Sequence, residues 1–127
     1  MIRVFLVILT TLIFFTPLAF AQNSQANILD QVNQKVCNRF EEDVSRLSAI
    51  MEELKNRQGI KETRVAFGGI DTKVKSGDYW VNFAAEAIAF QRVQKYSSKN
   101  ELRYSLEGLK GKILKAKNEV GKALDEK

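Results

Sequence analysis

Between Leu29 and Leu54 apolar residues return every three or four positions, at Leu29, Val32, Val36, Phe40, Val44, Leu47, Met51 and Leu54. That period is one face of an α-helix, and it conflicts with the strict alternation of a half-buried strand. The chain's one proline is Pro17, so no imino ring breaks a helix after that point. A long first helix is predicted over about 28–58, with Asn27 as its N-cap. It should end at Gly59, where Lys55 and Arg57 in the last turn complement the negative end of the helix dipole. Lys35, Arg39, Glu42, Arg46 and Glu53 read as its solvated face. The acidic pairs at 41–43 and 52–53 do not converge, because adjacent helix residues point in different directions.

A second helix is predicted over about 72–96, starting from Thr72 or Ser76 as N-cap. It contains the stretch "VNFAAEAIAF", in which only Asn82 and Glu86 are polar. A helix apolar nearly all round is a buried helix, so it is expected between the other two. Trp80, Phe83, Ile88 and Phe90 are its candidate residues for self-association or partner contact, should a strip be left uncovered.

The third helix, over about 98–125, opens on "SSKNE", with Ser98 as N-cap and Glu101 three residues on as a capping box. Its apolar seam runs Leu102, Leu106, Leu109, Ile113, Ala116, Val120 and Ala123 in alternating steps of four and three, a coiled-coil-like heptad pattern. Residues 59–71 form either an irregular connector or a small hairpin turning at Gly68 and Gly69. The expected fold class is therefore all-α, a three-helix bundle or helical hairpin with a coiled-coil-like seam.

Residues 1–21 read as a signal peptide: Arg3 gives the positive start, Val4 to Phe15 the apolar stretch, and Ala19 and Ala21 a small-residue cleavage site. The protein is expected to be exported, to the periplasm or beyond the cell. The alternative is a membrane anchor formed by residues 4–20. Residues 22–127 make up a single helical domain of net charge +4, one less than the +5 of the whole chain because Arg3 is removed. The basic excess lies in residues 92–127, with 10 basic and 5 acidic side chains.

Chemistry is sparse. There is no histidine, which removes imidazole general bases and most transition-metal sites. The glycines lack the Lys-Ser/Thr ending of a phosphate loop, and the acids lack calcium-loop spacing. No catalytic, cofactor-binding or metal-binding residue is predicted, and no small-molecule substrate is indicated. The single Cys37 excludes an internal disulfide; it is either a small core residue or a thiol for an intermolecular disulfide.

Two functions follow. The first is a non-enzymatic interaction or structural protein of the cell envelope, acting through helix–helix association with a protein partner or as a homo-oligomer. The second is binding of a polyanion or membrane surface through Lys110, Lys112, Lys115, Lys117 and Lys122. A holdase-like chaperone role lies between the two.

Overall fold

The computed structural model describes the backbone of residues 2–59 and 71–125 and the side chains of 24–59 and 73–125. It contains three helices, α1 (Ile2–Arg57), α2 (Asp71–Val93) and α3 (Lys99–Leu124), and each packs against the other two. No strand occurs among the described residues. The connector-or-hairpin question for 59–71 falls on residues 60–70, outside the described residues.

The predicted start of the first helix is corrected. α1 runs through Asn27 without a cap, since "QNSQAN" contains neither proline nor a glycine to stop propagation. Its end was legible. Gly59 has a φ of 71° and its amide donates to the Asn56 carbonyl at 3.2 Å, the left-handed residue that closes many helices. Neither Thr72 nor Ser76 is an N-cap, because α2 already starts at Asp71. Ser98 does cap α3: its side chain accepts from the Glu101 amide at 3.2 Å. Glu101 in turn accepts from the Ser97 hydroxyl at 2.9 Å, so only half of the expected box forms with Ser98.

Cross-helix pairs fix the directions. Ser76 meets Glu119 and Gln91 meets Ser105, so α2 and α3 run antiparallel. Asn33 meets Gln91 and Lys55 meets Asp78, so α1 and α2 do too, and α1 lies parallel to α3. The core between them contains Cys37, Val44, Met51, Val74, Val81, Ala84, Ile88, Leu109, Ile113, Ala116 and Val120. At one end Gly77 lets the helices close up: a Cβ there would lie 2.9 Å from the Met51 methyl carbon.

α2 is not enclosed as its composition suggested. In a triangle of helices each member has two neighbours, and its outward third stays wet. Ala85, Ala89 and Phe90 are accordingly exposed, and Phe90 keeps 68% of its surface.

Two glycines should respond oppositely to alanine. Gly59→Ala forces a Cβ into the left-handed region and should cost about 1 kcal/mol. At Gly108 nothing lies within 4 Å of the added methyl, so Gly108→Ala should stabilise by about 0.5–1 kcal/mol. Urea unfolding of the two variants checks both signs.

Candidate interaction surfaces

The α1–α2 seam is held by polar side chains that repeat with the helix period, at Asp30, Asn33, Gln34, Asn38 and Glu41. Asn33 is fully buried and Gln91 almost so. The Asn33 Nδ2 donates to the Gln91 carbonyl at 2.9 Å, and the Gln91 Nε2 returns a bond to Asn33 Oδ1 at 2.9 Å. Gln34 donates to the Arg92 carbonyl at 2.8 Å. Two carbonyls of the last turn of α2 are thus met by α1 side-chain amides, that of Gln91 in addition to the Gln94 backbone amide, which reaches it at 3.2 Å.

Gln91 also closes a ring with α3. Its Nε2 donates to Tyr96 Oη at 2.8 Å, and its Oε1 accepts from Ser105 Oγ at 2.7 Å. Tyr96 and Ser105 lie 2.6 Å apart. The serine's one proton is committed to Gln91, so the tyrosine must donate across that contact. Arg92 extends the seam outward to Asn38 at 2.7 Å and to the Glu41 carboxylate, and Lys95 meets Asp30 at 2.8 Å. This lock was missed in the sequence, where none of its amides is singled out. Its only signal was the three-and-four spacing of short amides.

Cys37 sits inside this seam, fully buried, with its Sγ 3.9 Å from Asn33 Oδ1. Burial pushes its thiol pKa up, against the opposing pull of Arg92. The intermolecular disulfide is therefore corrected: this is a core thiol with no route to a second chain in the folded state.

At the far end, Glu119 is buried between three donors: Lys115 at 2.9 Å, Ser76 at 2.8 Å and Lys122 at 3.0 Å. These bonds hold its carboxyl pKa down from 4.5 to about 2, against desolvation. A depressed folded-state pKa means the stabilisation is full above pH 4.5 and is lost as pH falls from there through about 2.

The five lysines do not form one surface. Lys110 edges the space between α1 and α3, and Lys117 reaches Asp43 at 3.8 Å. Lys112, Lys115 and Lys122 turn toward the α2 side, because steps of two, three and five residues carry successive side chains around the helix. Two of them meet the predicted partner residues: Lys112 Nζ lies 5.6 Å from the centre of the Phe83 ring and Lys115 Nζ 5.3 Å from that of Trp80. Tyr79 stacks on Phe83 with centroids 6.2 Å apart and meets Trp80 edge-on at 5.4 Å. Trp80 and Phe83 are half-buried. Ile88 is removed from the partner set, since it packs into the core.

A groove opens between α1 and α3. Val32, Val36 and Phe40 form one wall and Leu102 and Leu106 the other, around about 340 Å³ of space. Lys99, Arg103, Glu107 and Lys110 edge it, and Arg103 is paired with Glu107 at 3.1 Å. Leu106 belongs to the predicted seam yet stays half-exposed, as do Val36 and Phe40.

No family model matches the chain, and neither a curated protein nor a solved structure matches it. Among the described residues no group of three His, Cys, Asp or Glu side chains could hold a metal ion, and no helix is long and apolar enough to cross a membrane.

Acid titration tests the Glu119 site. Unfolding monitored by circular dichroism should show stability falling as pH drops from 4.5 toward 2. In Glu119→Gln that fall should be visibly shallower; an unchanged slope would mean the carboxylate is not held as described.

Proposed function

We propose that the protein is a non-enzymatic helical interaction module of the cell envelope, exported through its first 21 residues, which accepts a further helix in the α1–α3 groove. The groove itself supports this reading. Val32, Val36, Phe40 and Leu106 repeat at helical spacing on two parallel helices, and their apolar surface is left open to solvent. A fourth amphipathic helix laid there would complete a four-helix arrangement by helix-in-groove packing. Lys99 and Lys110 on the rim favour acidic residues beside the incoming apolar stripe. A second copy of the chain or another protein could supply that helix.

Sedimentation of residues 22–127 and titration with an amphipathic leucine/glutamate peptide address this together. A defined oligomer, or binding of the peptide, is expected. Val32→Asp, at a half-open wall position, should weaken either association by about tenfold or more, since a charge would face the apolar contact. A monomer that ignores the peptide contradicts the proposal.

A further inference from the structure

A second surface lies on the outer side of the α2–α3 hairpin, away from the groove, and its observations are independent of it. Tyr79, Phe83 and Phe90 follow one another along α2 at steps of four and seven, so they share a face over about 16 Å of helix. Tyr79 is 60% and Phe90 68% exposed, and Tyr104 on the neighbouring helix is 73% exposed. Large rings left in water at three places on one side of a small domain form a patch that ordinary packing does not explain.

The charge on this face is set by lysine. The ammonium groups of Lys112 and Lys115 lie over the Phe83 and Trp80 rings, within the range of a cation–π attraction. They are thereby held level with the rings. Three acids lie nearby, one of them Glu101, which stands three residues before Tyr104 and accepts from the Ser97 hydroxyl. Glu119 is occupied by Lys115, Lys122 and Ser76, and Glu86 is exposed on α2 between Phe83 and Phe90. On α3 the outward line from Tyr104 to Lys115 passes through Gly108 and Gly111, both of which open onto free space. No side chain stands between the tyrosine and the lysine there. Rings and ammonium groups protrude there, alongside the carboxylate of Glu86.

We infer that the α2–α3 face, carrying Tyr79, Phe83, Phe90 and Tyr104 with Lys112 and Lys115, docks on the surface of an anionic phospholipid bilayer. Aromatic side chains with an apolar body and a polar tip favour the headgroup boundary, and lysines beside them meet lipid phosphates. A deformable surface can admit rings that project from a convex two-helix face, to the depth at which interfacial helices sit. A second copy of the chain is disfavoured as the occupant, since a two-fold contact would bring two such lysine-bearing faces together and gather four ammonium groups in one interface.

Trp80 is the only tryptophan in the chain and lies within the face, so its fluorescence reports on this surface and not on residues 1–21. The full chain is added to phosphatidylglycerol vesicles with bromine on the acyl chains, and to matching phosphatidylcholine vesicles. Quenching of Trp80 is expected on the anionic vesicles and should fade as salt rises from about 50 to about 500 mM. Lys112→Glu and, separately, Tyr79→Ser/Phe90→Ser should each raise the anionic lipid needed for half-maximal quenching about tenfold. All of these positions are exposed or half-exposed, so helical circular dichroism should be unchanged. Equal quenching by both lipids, no quenching by either, or variants that behave as the parent would overturn the inference. So would a Trp80 response to heparin without one to the anionic vesicles.

Discussion

The paired amides of Asn33 and Gln91 are the constraint on which the rest of the bundle depends. Apolar seams attract one another in any register that hides enough surface, and the alanines of α2 would tolerate several. A buried amide is less permissive: an unmet donor or acceptor costs about 1–3 kcal/mol. With Asn33 fully buried, its Oδ1 and Nδ2 are both satisfied only when the last turn of α2 lies beside it. Gln91 then passes the same condition to α3 through Tyr96 and Ser105. One pair of side chains thus aligns three helices.

At the opposite end the alignment is set by charge and close approach. Glu119 ties α3 to Ser76 of α2, and Gly77 beside it lets Met51 of α1 come in. With both ends fixed, α3 is committed to two tasks at once. One side of it forms a wall of the apolar groove, and the other carries the lysines that overlie the aromatic rings of α2. The two surfaces face different directions, so occupation of one leaves the other accessible.

The helices themselves were legible because their causes are local. The steps of three and four in α1 and α3, Ser98 as a cap and Gly59 as a terminus depend only on nearby residues. What escaped depends on which helix lies opposite. Asn33, Gln34 and Gln91 look like surface positions until α2 is placed against α1. The lysines of α3 looked like one stripe until their angular positions separated Lys110 and Lys117 from Lys112 and Lys115. Of the four residues singled out on α2, Trp80 and Phe83 are half-buried and Phe90 is exposed, while Ile88 belongs to the core. That distinction follows from helical phase once the core-facing side is known: Ile88 is four residues from Ala84, which is fully buried.

If the amide pair sets the register, its two members must be energetically coupled rather than independently useful. A double-mutant cycle of Asn33→Leu and Gln91→Leu, measured by urea unfolding, tests this most directly. Each single variant strands its partner's polar atoms, and the double variant removes both sets. A coupling energy of about 1–3 kcal/mol is predicted, with the double variant less destabilised than the sum of the singles. Strictly additive losses would contradict the account, because the alignment of both surfaces would then have some other origin.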